Sequence, residues 1–281
     1  MRAHAIAVLF LAGVACGGAE RSRATPAPTT TTGFTSAAPA TARAEPTARG
    51  DAFGAPGTDG WGSAAGLRIL EVVRGDTAAD DALPMIVVLH GLGDGPHPEW
   101  IRDLPVPVRL VLPQAPTPHG DGFAWFPYRS AETRPEELAR GIAGASEQLA
   151  RAIRVWRARR PTHGLPLVTG FSQGGMLSFA LALRHPGQVA LAVPIAGFLP
   201  EPLWPKERAR DLRYPPIRAM HGDADERVSI ALARSLVAHL AKLGFDASLE
   251  ERHGIGHGIT PAMFESLRNT LAGALAAGTT R

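Results

Sequence analysis

The 281-residue chain holds one cysteine, two tyrosines and two lysines, Lys206 and Lys242, and aromatic residues make up only 6% of it. A single cysteine excludes an intramolecular disulfide. Long apolar runs are missing as well. The longest uncharged stretch beyond the N-terminus, residues 161–183, is broken by Pro, Gly, Gln and Ser, so it reads as strand, turn and helix rather than a membrane span. With so little lysine, the net charge of +3 rests on arginine, and acidic residues are interspersed throughout. That pattern does not imply nucleic acid. In the densest basic stretch, Arg151, Arg154 and Arg157 lie three apart on one helical face, with Arg159 and Arg160 following. A solvated face is the simplest reading, and contact with anionic lipid headgroups is the alternative. What is present, 45% hydrophobic and 20% charged residues, suits one large folded domain and excludes disorder throughout.

The position of the cysteine is more informative than its number. Arg2 supplies a positive charge, residues 5–15 form an apolar run of signal-peptide length, and small residues follow. Gly13-Val14-Ala15-Cys16 resembles the lipobox of bacterial lipoproteins, with Gly13 where Leu is usual. The resemblance implies that Cys16 is lipidated and becomes the mature N-terminus. Ordinary secretion with cleavage nearby and an uncleaved interfacial anchor are the alternatives. The expectation is an exported protein, held on the periplasmic or cell-surface side of a membrane through Cys16, or else secreted. Residues 17–60 are rich in Ala, Thr, Pro and Gly without helical or strand periodicity, and cannot bury enough apolar surface to offset ordering. The domains expected are a signal peptide over residues 1–16, a disordered tether over 17–60 and a folded domain over 61–281.

Within the domain, β-rich runs occupy residues 67–73, 85–89, 108–112, 165–169, 189–195, 217–220 and 247–250. The 85–89 run is wholly apolar, as a strand covered on both faces must be. Helical patterns fill residues 135–159, 173–183, 229–243 and 261–272. Alternation of this kind predicts an α/β fold, a mostly parallel doubly wound sheet with helices on both faces.

Gly170-Phe171-Ser172-Gln173-Gly174 joins a strand run to a helical one. Such a strand-to-helix turn presents its central residue, and the glycines remove side chains that would clash there. Ser172 is therefore a candidate nucleophile; a helix-capping serine is the plainer reading. A serine hydroxyl needs a general base, and the base needs an acceptor to fix its tautomer. After the 217–220 run comes His221-Gly222-Asp223-Ala224-Asp225, and after the 247–250 run comes His253-Gly254-Ile255-Gly256-His257-Gly258. Asp225 is favoured over Asp223, which reads as a turn residue. His257, flanked by glycines, is favoured over His253. The His-x-x-x-His spacing invites a zinc site, but no Glu accompanies it and the segment is not helical, so no metal is expected. Acyl transfer also needs donors aimed at an oxyanion: the backbone N–H of Gln173 is one, and Leu92 in the turn His90-Gly91-Leu92-Gly93-Asp94 supplies the other. His90 and Asp94 read as structural parts of that turn.

Together with Leu112-Pro113-Gln114-Ala115-Pro116, these segments resemble the phospholipase/carboxylesterase family of α/β-hydrolases, in the family's order over residues 83–272. The resemblance implies an α/β-hydrolase fold, the triad Ser172, Asp225 and His257, oxyanion donors at Leu92 and Gln173, and no cofactor. It also implies hydrolysis of carboxylic esters or thioesters through an acyl-enzyme. The family usually has Trp-Phe-Asp where this chain has Trp125-Phe126-Pro127, and the segment 94–108 is shorter than usual, which leaves the substrate open. Phe123, Trp125, Phe126 and Tyr128 suggest either a substrate-binding apolar wall or an anchor for a long loop. The stretch 198–216 is short and proline-rich, leaving no room for a large lid; an open cleft suits small or singly acylated substrates. Two rival functions are an acyltransferase using the same triad and a non-catalytic binding module on the same fold.

Overall fold

The computed structural model describes residues 53–127 and 133–278. The expected signal peptide, Cys16, most of the tether and Tyr128 lie outside the described residues. The elements, in order, are β1 (Phe53–Gly54), β2 (Trp61–Ala64), β3 (Leu67–Arg74), β4 (Met85–Leu89), β5 (Val108–Pro113), β6 (Thr117–His119) and β7 (Gly122–Ala124). Then come α1 (Pro135–Arg159), β8 (Leu167–Phe171), α2 (Gln173–Arg184), β9 (Leu191–Ile195), β10 (Ile217–Gly222), α3 (Ile230–Lys242), β11 (Ala247–Arg252) and α4 (Pro261–Gly278).

Nine strands form one sheet in the order β1-β2-β3-β5-β4-β8-β9-β10-β11. From β5 to β11 every neighbour is parallel, whereas β1, β2 and β3 join as an antiparallel edge. The central strands β4, β5 and β9 are buried at every residue, which explains their apolar sequences, broken only by Arg109 in β5. Side chains of β4 alternate between two cores. Met85, Val87 and Leu89 face a core built with α1, α2 and α3, while Ile86 and Val88 face one covered by α4. This is the mostly parallel α/β sheet with helices on both faces that the alternation of elements predicts. Helix α2 is buried along nearly its whole length, and in the long α1 the inward stripe runs from Leu138 through Ile142 and Leu149 to Trp156.

The folded unit begins earlier than residue 61, correcting the tether boundary. Phe53 pairs with Ala64 in β1–β2, and its ring meets Trp156 of α1 edge-on at 5.0 Å. A linker-like composition concealed this, because the partner that orders Phe53 lies about a hundred residues away. The strand expected at 165–169 starts instead at Leu167, after Pro166, and runs on to Phe171 at the site. Helix α4 extends past residue 272 to Gly278, since Leu275 continues the stripe of Met263, Leu267 and Leu271.

A buried charged cluster braces the antiparallel edge. Arg109 of β5 is fully buried and donates from Nη1 to Glu71 Oε1 at 2.9 Å, and from Nη2 to the carbonyls of Ala79 and Asp81. The other Glu71 oxygen accepts from Trp156 Nε1 at 2.6 Å and Arg160 Nε at 3.0 Å. One carboxylate thus joins β3, β5 and α1. Removing it would leave a cation buried without its partner. We expect Glu71→Ala to cost about 3–5 kcal/mol in urea unfolding, against less than about 1 kcal/mol for Asp246→Ala at the exposed Arg218–Asp246 pair. Equal losses would refute the role assigned to the cluster.

Candidate active site

The turn between β8 and α2 is as tight as its sequence requires. Ser172 sits at φ 56°, ψ −113°, a conformation that ordinary residues avoid, with its N–H donating to Ile195 O at 2.9 Å and its carbonyl accepting from Met176 N–H. A Cβ on Gly174 would come within 2.1 Å of the Leu89 carbonyl oxygen, and one on Gly170 within 2.6 Å of Gly174. Only glycine at both positions lets α2 press against the end of β4. Ser172 is held at the carboxyl end of the parallel strands, where open α/β sheets place their sites.

Two further strand ends converge on it. His257, beyond β11, places Nε2 3.0 Å from Ser172 Oγ, and its Nδ1 lies 2.7 Å from Asp225 Oδ2, beyond β10. A carboxylate only accepts, so Nδ1 carries the proton and Nε2 is free to accept from the serine hydroxyl. The Asp225 side chain is fully buried, and its Oδ1 accepts from the amides of Arg227 and Val228, each at 2.9 Å. Burial alone would raise its pKa. Donors from His221, His257 and Val228 outweigh that and hold the carboxyl well below the usual carboxylate range. Asp223 and His253, the competing pair, form a separate contact: His253 is fully solvent-exposed, donating from Nδ1 to Asp223 at 2.8 Å, and Asp223 also accepts from Gly254 N–H. They pin the turn that leads toward His257.

The glycine-rich turn after β4 backs directly onto the serine, since a Cβ on Gly91 would stand 3.6 Å from Ser172 Cβ. This turn carries Leu92, and the first amide of α2 is that of Gln173, which has no intrahelical acceptor. His90 is buried and structural: Nδ1 donates to Gly91 O at 2.7 Å, Nε2 accepts from Ala115 N–H at 3.0 Å, and its carbonyl accepts from Trp125 Nε1. Burial pushes its pKa below the ordinary value, which suits a ring whose Nε2 must accept. The turn is stapled further by exchange of backbone hydrogen bonds between Gly93, Asp94 and Phe123.

Of the aromatic residues expected to bind substrate, Trp125 and Phe126 lie in the core, at 5% and 2% exposure. Phe123 is only partly buried. The anchoring role is therefore the one that fits Trp125 and Phe126. The Gln173 side chain, unremarked in the sequence beyond its amide, does the anchoring: Oε1 accepts from Trp125 N–H at 2.9 Å and Nε2 donates to Phe126 O at 2.8 Å. Other aromatics stand at the site instead. Phe171 lies 4.8 Å from the His257 ring and meets Trp100 edge-on, and His97 stacks on Trp100. Among the described residues, no element longer than a three-residue turn interrupts the segment between β9 and β10, and no large lid domain is formed there. An open cavity of about 770 Å³ is lined by Leu138, Phe198, Leu199 and Trp204 together with Glu136 and Glu201, and none of Ser172, Asp225 and His257 lines it. The described residues hold no cluster of three or more His, Cys, Asp or Glu side chains able to bind a metal ion.

A sequence profile of the Phospholipase/Carboxylesterase family matches residues 69–275. The chain belongs to this family. A probable carboxylesterase from Oryza sativa subsp. japonica is 29% identical over 206 residues, covering 66% of this chain and 75% of the relative. A probable inactive carboxylesterase from the same plant is 27% identical over 194 residues, covering 62% and 78%. Among solved structures, esterase PE8 superposes with a TM-score of 0.60 at 24% identity, covering 70% of this chain and 95% of that one. The family's α/β-hydrolase fold is thus shared along most of the chain.

His97 offers a test of the electrostatics at the edge of this family site. Asp94, 2.5 Å from Nε2, and Glu99, 2.6 Å from Nδ1, push its pKa up to about 9 against the opposing effect of burial. Because the folded value lies above the unfolded one, the stability His97 lends is complete below about pH 6.5 and is lost as pH rises through about 9. An NMR titration should place the His97 midpoint near 9, and Asp94→Asn should move it down. An unshifted midpoint in that variant would contradict the assignment.

Proposed function

We propose that the protein is a serine hydrolase that cleaves carboxylic esters, and thioesters of small or singly acylated compounds, through an acyl-enzyme on Ser172. The observation that carries this reading is the 3.0 Å contact between Ser172 Oγ and His257 Nε2, with His257 Nδ1 on a buried Asp225. His257 takes the hydroxyl proton as Oγ adds to the substrate carbonyl carbon. The oxygen of the tetrahedral adduct gains negative charge and accepts from the amides of Leu92 and Gln173. Collapse breaks the bond to the leaving alcohol or thiol, which departs with the proton from His257. Water then adds to the acyl-enzyme, giving its proton to His257, and the second collapse returns that proton to Ser172 Oγ and releases the acid. Asp225 stays ionised throughout, orienting the imidazole and stabilising its cation.

The proposed setting is extracytoplasmic, with Cys16 lipidated and the chain before β1 acting as a spacer from the membrane.

Fluorophosphonate labelling and turnover of aryl esters and acyl thioesters of increasing length test the reading directly. Ser172→Ala should abolish labelling and lower kcat by roughly 10⁴- to 10⁶-fold. Gln173→Ala keeps its backbone amide, so its loss should appear chiefly as a lower melting temperature from release of Trp125 and Phe126. Retained labelling of Ser172→Ala would sink the assignment. Intact wild type that never labels would favour a binding module, and product formed only with an added alcohol would favour acyl transfer.

A further inference from the structure

Asp225 is not held by His257 alone. His221, next to last in β10, is fully buried, and its Nε2 lies 3.1 Å from Asp225 Oδ2 and 2.8 Å from the Val228 carbonyl oxygen. A carbonyl only accepts, so Nε2 carries the proton and divides it between two acceptors. Val228 closes the circuit by donating its own amide to Asp225 Oδ1. Oδ2 consequently receives two imidazole donors, one from the reacting His257 and one from His221. The other ring nitrogen, His221 Nδ1, is buried with no hydrogen-bond partner. Leaving a buried polar atom unpaired is costly. The ring keeps that cost in the arrangement that aims Nε2 at the carboxylate.

We propose that His221 is a positioning residue for the reaction, fixing the plane of the Asp225 carboxylate and sharing the charge on Oδ2 so that His257 faces Ser172 without binding its proton too early. The inference rests on the serine-hydrolase reading. Asp225 stands on a turn, whereas His221 stands in a strand paired on both sides, β9 and β11. When His257 becomes a cation, its hold on Oδ2 tightens, and the divided His221 proton shifts its weight to Val228 O without losing a partner. Without that donor, Oδ2 keeps His257 as its one imidazole partner, and its charge bears on that ring alone.

The other charges around this group are already engaged. Glu251 of β11 lies opposite His221 in register and is bound by Arg234 of α3, while Asp223 at the adjoining turn is bound by His253. On the remaining side, His257 meets the uncharged ring of Phe171. Any change in the acidic limb of the rate profile is therefore read at the His221–Asp225–His257 chain.

The test compares His221→Phe, which keeps a ring but no N–H, with His221→Gln, whose amide nitrogen can reach the place of Nε2. For an aryl ester, the Phe variant should move the acidic limb of kcat/KM up by about one pH unit and lower kcat on the order of 10-fold, with KM little changed. The Gln variant should restore both. An unmoved limb in the Phe variant, or an equal shift in both variants, overturns the proposal. If the Phe variant does not fold, ¹⁵N NMR of the wild-type imidazoles decides: a proton on His221 Nε2 supports the role and one on Nδ1 overturns it. Ser172→Ala, run alongside, separates the two levels, because full activity there defeats the underlying reading rather than this one.

Discussion

The site depends on one steric constraint, the contact of Gly174 with the end of β4. With no side chain between them, the first turn of α2 lies against the Leu89 carbonyl. This leaves Ser172 at φ 56°, ψ −113°, a sparsely populated conformation that costs about 1–3 kcal/mol for a residue with a Cβ. The strain persists because the turn is clamped from both sides, by β4 on one hand and by the Ser172 amide on Ile195 of β9 on the other. Those strands lie in the middle of the sheet, the part least able to yield. The hydroxyl is thereby presented by the core itself rather than by a loop.

Around it, the candidate site is divided among strand ends. β4 leads into the turn bearing Leu92, β8 into Ser172, β10 into Asp225 and β11 toward His257. Each group sits just past a strand of the parallel array, so a single rigid body sets all of their separations. The loops are tied by side chains that do not react: His90 holds the first turn to Ala115 and Trp125, Gln173 holds residues 125 and 126, and Asp223 holds the turn at Gly254. Burial matters as much as distance. An Asp225 open to water would lose much of the strength of its hold on His257.

The elements that position the site were legible wherever a local pattern sufficed. Wholly apolar runs gave the inner strands, and the strand–glycine–serine–glycine–helix order gave Ser172. Asp225 and His257 followed from what a serine needs downstream. The features that escaped detection depend on partners remote in sequence. Phe53 looks like linker until Trp156 is brought to it. Arg109 sits in an otherwise apolar strand, and nothing nearby announces Glu71 as its partner. Strands β6 and β7 are three residues each and pair with one another apart from the main sheet. Trp125 and Phe126 were as consistent with a substrate wall as with an anchor, because aromatic residues serve both ends and only burial separates them. His221 was seen as part of a motif, yet its role depends on a carboxylate four residues later folding back onto it.

The two faces of the sheet are covered very unequally. Among the described residues, three α-helices build one core, whereas on the other α4 is the one α-helix that contributes, through Met263, Leu267, Leu271 and Leu275. About 190 residues separate Ile86 from Leu275, roughly 10–40 s of synthesis at usual elongation speeds. Until α4 is made, the apolar underside of β4 and β5, and later of β9, lacks that helix, and such surface invites aggregation or capture by chaperones. The imidazole arrives just ahead of the same closing helix. A chain halted before α4 therefore leaves that apolar face of the sheet open.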